Sequence, residues 1–100
     1  MGMPDHSLRA KVERHRAAIV ALARRHNAEH IALFGSVARG DAGDDSDIDF
    51  LVTFAKGASL FDQVALHEDL ALLLKHKVDV VSAGGLKASD GHILQEAIAL

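Results

Sequence analysis

The chain has no cysteine, no tryptophan and no tyrosine, and a single one of its 100 residues is proline. Without cysteine, a disulfide-bonded scaffold and a zinc or iron–sulfur site with thiolate ligands are excluded. Apolar runs such as residues 70–74 are far shorter than the ~20 residues that a membrane-spanning helix needs. The N-terminus also lacks the basic and then apolar pattern of a secretion signal, so we expect no membrane association and a cytoplasmic location.

The composition is that of a folded protein. Hydrophobic residues make up 49% of the chain and charged residues 25%, a balance that argues against intrinsic disorder. The length fits one small domain, residues 1–100. Little room remains for a separate substrate domain, so a large ligand must also contact a partner or lie in an open cleft.

The net charge of -3 is distributed unevenly. Residues 1–40 contain seven basic and three acidic residues, whereas residues 41–100 contain four basic and eleven acidic ones. Five aspartates fall within the nine residues from Asp41 to Asp49. Since so many like charges repel one another, this segment is either an acidic turn in solvent or the binding site of a cation.

Helices and strands alternate along the chain in the order α-β-α-β-α-β-α, which predicts one sheet covered by helices. The predicted helices are residues 7–27, a short segment after Gly35 closed by Gly40, residues 59–75, and about 89–98. The predicted strands are residues 31–34, 48–54 and 78–82. The fold class is therefore α/β (α+β), with a mixed sheet of three strands or slightly more.

The helix predicted at 59–75 has two apolar stripes. We expect the first to face the sheet and the second to be packed inside the fold or to meet a partner. The first stripe consists of Phe61, Val64, Ala65 and Leu72, and the second of Leu66, Leu70 and Leu73.

Gly35 and Ser36 directly follow the first predicted strand. Glycine allows a sharp turn and a close approach of a ligand, and a serine at the start of a helical turn suits an anion such as phosphate. Arg39, one turn later, could add a positive charge. The alternative is an ordinary strand-to-helix turn in which Ser36 caps the helix.

Asp47 and Asp49 flank Ile48 at the start of the second predicted strand. Side chains two residues apart in a strand point to the same face, so both carboxylates lie on one side. Mg²⁺ prefers such oxygen ligands, although an acidic turn in solvent is the simpler alternative. In neither case does the segment match a calcium-binding EF-hand, because Ser46 and Val52 replace the glycine and glutamate that this loop requires.

Asp79 is an isolated charge in the third predicted strand, and it either points to solvent at an edge or belongs to the same site. A helix joins the second and third strands, as in a parallel crossover, so both strands start at the same end of the sheet. For Gly35 to meet them there, the first strand must run antiparallel to the other two. A phosphate-binding turn beside three carboxylates indicates metal-assisted phosphoryl or nucleotidyl transfer.

The seven histidines are scattered without the spacing of a zinc site, so surface or helix-end positions are expected. The basic first helix is interpreted as a solvated face or part of a partner surface. Direct nucleic-acid binding is not expected, because the acidic half would repel a phosphate backbone and no aromatic residues are spaced for base stacking.

The spacing Gly35-Ser36, ten residues, then Asp47-x-Asp49 resembles the signature of polymerase-β-like nucleotidyltransferases. The fuller segment 35–52, together with residues 57–62, 77–81 and 93–97, resembles the minimal nucleotidyltransferase (MNT) antitoxin family. The resemblance covers residues from about 15 to 100. The chain differs from the family at residues 89–92, where family members often carry basic residues that help to contact a partner.

The resemblance implies a nucleotidyltransferase fold and assigns roles to the motif residues. Asp47 and Asp49 would bind Mg²⁺, and Asp79 would help to ligate the ion that activates the attacking hydroxyl. Gly35 and Ser36 would hold the triphosphate of ATP, with Arg39 as a further phosphate contact.

The resemblance also implies a biological role. The chain would transfer AMP from ATP to a tyrosine of a HEPN-domain ribonuclease toxin, as the antitoxin of a type VII-like toxin–antitoxin system. It would form a hetero-oligomer with that toxin and could form a homodimer when alone. Two alternatives are an antitoxin that neutralises the toxin by binding alone and, less favoured by the small size, a transferase acting on a small molecule.

Overall fold

The computed structural model describes residues 7–43, 45–85 and 91–100, and it gives main-chain positions without side-chain detail for His92 and Leu94. The α-helices are α1 (Leu8–Arg14), α2 (Arg16–Arg25), α3 (Gly35–Arg39), α4 (Leu60–Leu74) and α5 (Gly91–Glu96). The strands are β1 (Ala28–Phe34), β2 (Ile48–Phe54), β3 (Val78–Ser82) and β4 (Ile98–Ala99), and a 3-10 turn covers Ala83–Gly85. No helix in this part of the chain is long and apolar enough to cross a membrane.

The four strands form one mixed sheet in the order β3-β2-β1-β4. β2 and β3 are parallel and are joined by α4, whereas β1 is antiparallel to both β2 and β4. The end of β1 therefore lies beside the starts of β2 and β3. This arrangement confirms the prediction of a mixed sheet whose three motif-bearing segments meet at one end.

The hydrophobic core lies between one face of the sheet and the helices α1, α2 and α4. β-Branched and aromatic residues form β2, and its side chains at Ile48, Phe50 and Val52 are fully buried on the helical side. Leu66, Leu70 and Leu74 cover them from α4 and are fully buried too. Because Ile48 is fixed in this core, the residues on either side of it must face away from the helices.

The helix predicted at 7–27 is two helices, because the chain breaks at His15. The His15 main chain leaves the helical region (φ −104°, ψ 11°), and its ring Nδ1 donates to the Lys11 carbonyl at 2.8 Å. Ser7 caps the start of α1 through a 3.1 Å bond from the Ala10 N–H. At the far end Asn27 adopts a left-handed conformation (φ 62°), as a terminating residue does, and β1 begins at once, three residues earlier than predicted.

The basic face of these helices partly anchors them to the rest of the fold. Arg9 donates to the Ala38 carbonyl at 3.2 Å, and Arg16 donates to the Ala99 carbonyl at 2.7 Å. These contacts join α1 to α3 and α2 to β4, so the two arginines serve as structural links in addition to contributing surface charge.

The prediction of which α4 stripe faces the sheet was wrong. Phe61 and Leu72 are 85% and 76% exposed, and Val64 is also exposed, whereas Leu66 and Leu70 are fully buried. Both stripes are apolar at helical spacing, so the pattern could not decide between them. The capping of α4 was predicted correctly, since the Ser59 N–H donates to the Asp62 carboxylate at 2.9 Å and this bond lowers the pKa of Asp62.

The C-terminal segment differs from the predicted helix of about 89–98. Helix α5 ends at Glu96, and Ile98 and Ala99 pair with Leu33 and Ala32 as the short strand β4. A strand of two residues leaves no periodic pattern in the sequence. Residues 86–90, including the predicted helix start at Ser89 and Asp90, lie outside the described part of the chain.

Candidate active site

The turn after β1 brings the main chain unusually close to a carboxylate. Gly35 follows the strand directly and has φ +76°, a conformation that favours glycine. A Cβ atom at this position would overlap the Asp49 Oδ2 atom and lie 3.2 Å from Asp49 Cγ. Glycine is therefore required for two independent reasons, the backbone angle and the space that Asp49 occupies.

Ser36 lies in the first turn of α3, as predicted, and is half-buried. The first N–H groups of a helix have no carbonyl partner within the helix, which makes this turn suitable for phosphate oxygens. α3 ends as predicted at Gly40, which adopts a left-handed conformation (φ 83°).

The two carboxylates at the start of β2 lie on the side opposite the core. Ile48 is buried between them, so Asp47 and Asp49 share the other face of the strand. Asp49 lies directly across from Phe34, the last residue of β1, and is half-buried, whereas Asp47 precedes the strand and is exposed.

Asp79 lies beside Asp49 in the parallel register between β2 and β3. Aligned residues of neighbouring strands point to the same face of a sheet, so the two carboxylates lie together. The sequence left open whether Asp79 points to solvent or joins the site. In the structure Asp79 is exposed on the outer strand and lies beside Asp49.

Burial and mutual repulsion define the electrostatics of this end of the sheet. The pKa of Asp49 is raised, chiefly by its burial and then by the negative charges of Asp79 and Asp47, with Arg39 opposing them. Ionising Asp49 therefore costs more free energy than ionising an aspartate in solvent. A bound cation would relieve this repulsion.

Arg39 is at the same end of the sheet but is engaged by other carboxylates. Its guanidinium donates to Asp41 at 3.3 Å and to Glu96 at 3.1 Å, and these partners, Asp41 first, raise the pKa of Arg39. The pair with Glu96 connects α3 to α5. A phosphate contact by Arg39 would have to replace or share these exposed ion pairs, which are individually weak.

A hydrogen-bonded clamp that the sequence did not reveal aligns the starts of β2 and β3. The His76 ring donates from Nε2 to the Ser46 carbonyl at 2.6 Å, and the Ile48 N–H donates to the Lys77 carbonyl at 3.0 Å. These bonds fix the residues on both sides of Asp47 against the segment that precedes Asp79. The sequence does place His76 three residues before Asp79, but this spacing could not show that the His76 ring bonds to the Ser46 carbonyl.

The donor set fits Mg²⁺ better than a transition metal. The three carboxylates offer only oxygen ligands, which Mg²⁺ prefers. Within residues 7–43, 45–85 and 91–100, no group of three or more histidine, aspartate or glutamate side chains is arranged to hold a metal ion by itself. An open set suits Mg²⁺, which is usually held by one or two carboxylates together with substrate phosphates.

The sequence profile of the nucleotidyltransferase domain matches residues 15–98. The chain belongs to this family. The family match spans α2 to β4 and contains the turn at Gly35 and the three aspartates. The structure also has the mixed sheet and helical layer of the nucleotidyltransferase fold.

Two relatives from archaea bear names that specify an activity. The protein adenylyltransferase MntA of Thermococcus cleftensis is 42% identical over 67 residues, which are 67% of this chain and 68% of that protein. A protein of Methanocaldococcus jannaschii, provisionally named a protein adenylyltransferase, is 36% identical over 81 residues, which are 80% of this chain and 87% of that protein.

Solved structures with the same fold include proteins of toxin–antitoxin systems. A protein provisionally named a minimal nucleotidyltransferase superposes with a TM-score of 0.86 at 41% identity, over 97% of this chain and 100% of that one. A mutant MntA–HpeT toxin–antitoxin complex contains a chain with a TM-score of 0.70 at 26% identity, over 85% of this chain and 70% of that one.

Proposed function

We propose that this chain transfers AMP from ATP to a tyrosine hydroxyl of a HEPN-domain toxin in a Mg²⁺-dependent reaction, and that it thereby acts as an antitoxin. The observation that carries the proposal is the meeting of the Gly35 turn with Asp47, Asp49 and Asp79 at one end of the sheet. The 42% identity to a protein adenylyltransferase supports protein as the acceptor class.

In this proposal each segment has a separate task. The N–H groups and hydroxyl at Gly35 and Ser36 bind the triphosphate, with help from Arg39. Asp47 and Asp49 hold Mg²⁺, and the clamp from His76 keeps Asp47 in position. When bound, Mg²⁺ supplies charge neutralisation for the phosphates and lowers the pKa of the attacking hydroxyl.

The reaction forms a bond between the acceptor oxygen and the α-phosphorus of ATP and breaks the bond from that phosphorus to the β-phosphate oxygen. Pyrophosphate leaves, and the proton of the acceptor hydroxyl passes to a carboxylate or to solvent. Asp79 is suited to receive it or to orient the hydroxyl, because it is exposed on the outer strand beside Asp49.

In this proposal the acceptor hydroxyl belongs to a separate molecule. A toxin partner supplies it, and the 26% identical chain of the MntA–HpeT complex supports this kind of partner. Homodimer formation in the absence of the toxin stays a prediction.

Labelled ATP tests the proposal directly. The chain is incubated with a HEPN protein encoded by an adjacent gene, Mg²⁺, and ATP labelled at either the α- or the γ-phosphate. We expect label on the HEPN protein only from α-labelled ATP, because AMP is the transferred group. Label from the γ-phosphate, or no label from either, would contradict AMP transfer.

A variant without the metal-binding carboxylates distinguishes AMP transfer from an antitoxin that acts by binding alone. If AMP transfer is required, the double variant Asp47→Ala/Asp49→Ala should still bind the toxin but should fail to protect cells that express it. Full protection by this variant would favour inhibition by binding alone.

A further inference from the structure

Strand β4 brings the last residue of α5 close to the proposed phosphate-binding turn. Ile98 of β4 pairs with Leu33 of β1 in antiparallel register, and Gly35 follows Leu33 by two residues. Glu96 precedes Ile98 by two residues, so the same register carries it to the level of Gly35. The end of α5 thus lies at the end of the sheet that bears the candidate active site.

The side chain of Glu96 shares the Arg39 guanidinium with Asp41. Glu96 Oε2 accepts a hydrogen bond from Arg39 Nη1 at 3.1 Å, and Asp41 Oδ2 accepts one from Arg39 Nε at 3.3 Å. The Glu96 side chain is 33% exposed and that of Asp41 62% exposed, so Glu96 is the better shielded partner. Because the two partners belong to separate segments and bind different nitrogen atoms, together they orient the plane of the guanidinium.

The guanidinium of Arg39 keeps donors for a third partner. It has five N–H groups in one plane, and the two carboxylates accept from two of its nitrogen atoms. Among residues 7–43, 45–85 and 91–100, the remaining nitrogen atom, Nη2, has no hydrogen-bond partner. A planar arginine can therefore hold a phosphate group with its free donors while the two carboxylates keep it in place.

Arg39 also has competing partners at the same end of the sheet. Its charge lowers the pKa of Asp49 against the burial and repulsion that raise it. In the part of the chain that the structure describes, however, the ion pairs of Arg39 are with Asp41 and Glu96 and not with Asp49. A guanidinium that paired with Asp49 would compete with a metal ion for the same carboxylate.

We propose that Glu96 is a positioning residue for the nucleotide, which holds Arg39 so that its free N–H groups meet the triphosphate and Asp49 stays open to Mg²⁺. This inference rests on the proposed function and deepens it, because it gives a task to a residue of α5 outside the turn and the three aspartates. Glu96 acts through Arg39 and does not itself contact the triphosphate, since the two negative charges would repel each other.

The direction of the effect on ATP binding distinguishes positioning from plain electrostatics. ATP is an anion, so removing a negative charge near its site should tighten binding if charge alone matters. If Glu96 positions Arg39, its removal should weaken ATP binding even though the protein becomes less negative. The two interpretations thus predict changes of opposite sign.

Calorimetric titration with ATP and Mg²⁺ measures this effect without an acceptor protein. We expect Glu96→Ala to raise Kd for ATP roughly fivefold, which corresponds to the loss of one hydrogen bond of ordinary strength. Glu96→Gln should recover most of the loss, because its amide oxygen can still accept from Arg39 Nη1. Unchanged or tighter ATP binding by Glu96→Ala would overturn the proposal.

Glu68→Ala is the matched control. Glu68 is exposed on α4, on the opposite side of the sheet from the aspartates, and within the described residues it forms no ion pair. This variant removes the same side chain and the same charge from a helix, and it should leave Kd for ATP near the wild-type value. An equal loss of ATP binding in Glu68→Ala and Glu96→Ala would count against a specific role of Glu96.

A double-mutant cycle shows whether Glu96 acts through Arg39. In the Arg39→Ala background, Glu96→Ala should not weaken ATP binding further, because no guanidinium is left to position. The same fivefold loss in both backgrounds would overturn a role through Arg39. Since the ion pair is exposed, urea unfolding should show nearly unchanged stability in each variant, which separates this role from a purely structural one.

These binding measurements separate the inference from the proposed function. If Glu96→Ala weakens ATP binding through Arg39 but no AMP reaches a HEPN protein, the positioning role stands and only the proposed function fails. If AMP is transferred by the wild type and Glu96→Ala binds ATP as tightly as the wild type, the function stands and the positioning role fails. An absence of ATP binding by the wild type would overturn both.

Discussion

Gly35→Ala should reveal two separate costs that glycine avoids at the turn after β1. The first is the left-handed backbone angle, which costs a residue with a Cβ about 1–2 kcal/mol. The second is the overlap with Asp49, for which overpacking of a filled site gives about 1–3 kcal/mol. The sum of about 2–5 kcal/mol is a large part of the roughly 5–15 kcal/mol by which a small domain is stable.

Gly40→Ala is the matched control for this prediction. Gly40 has a similar angle (φ 83°), but a Cβ there would meet nothing within 4 Å. Gly40→Ala should therefore show the backbone cost alone, about 1–2 kcal/mol. Gly35→Ala should also abolish AMP transfer, because Asp49 must move to make room for the new methyl group.

Urea unfolding followed by far-ultraviolet circular dichroism measures these costs, since the chain has no tryptophan or tyrosine for fluorescence. A double-mutant cycle with Asp49→Ala isolates the overlap, because removing the carboxylate should recover that part of the loss and leave the backbone part. Equal destabilisation by Gly35→Ala and Gly40→Ala, or a Gly35→Ala cost that Asp49→Ala leaves unchanged, would refute the reasoning.

Three further variants test the electrostatics and the positioning of the site. Because the pKa of Asp49 is raised in the fold, ionising this carboxylate lowers the stability of the folded state. Without divalent cations, the stability advantage of Asp49→Asn over the wild type should therefore grow as the pH rises from about 4 to 7. If urea unfolding gives the same difference in stability at every pH, the reasoning is contradicted. His76→Ala should cost about 1 kcal/mol of stability and also slow AMP transfer. His26→Ala removes a hydrogen bond to Asp69 of α4 away from the site, so it should leave transfer unchanged, and equal transfer rates in the two variants would argue against the clamp. Arg39→Ala should leave stability nearly unchanged, because its ion pairs are exposed, but it should raise KM for ATP in steady-state kinetics. An unchanged KM would remove Arg39 from the phosphate contacts.

The strands β2 and β3 and the helix α4 could be predicted from the sequence because local and tertiary preferences agree there. β2 is a run of β-formers, and α4 begins at a capping serine, so both were predicted to within a residue or two. The meeting of Gly35 with the aspartates also followed from the order of elements, since a parallel crossover fixes where β2 and β3 begin.

What the sequence could not reveal depends on contacts between distant residues. A ring-to-carbonyl bond accompanies the break at His15. On α4, packing in the fold selects which of the two apolar stripes is buried. Likewise, the spacing of the motif indicates that Gly35 and Asp49 belong together, but not that Asp49 occupies the space of a glycine side chain. The clamp from His76 to the acidic loop is likewise a tertiary contact with no periodic signal.

The most direct measurement is the intact mass of a HEPN protein encoded by an adjacent gene, after incubation with this chain, ATP and Mg²⁺. We predict that its mass rises by one or more AMP groups with the wild-type chain and stays unchanged with Asp47→Asn/Asp49→Asn, which preserves shape but removes both charges. No gain with the wild type, or the same gain with the double variant, would contradict AMP transfer by the carboxylates at this end of the sheet.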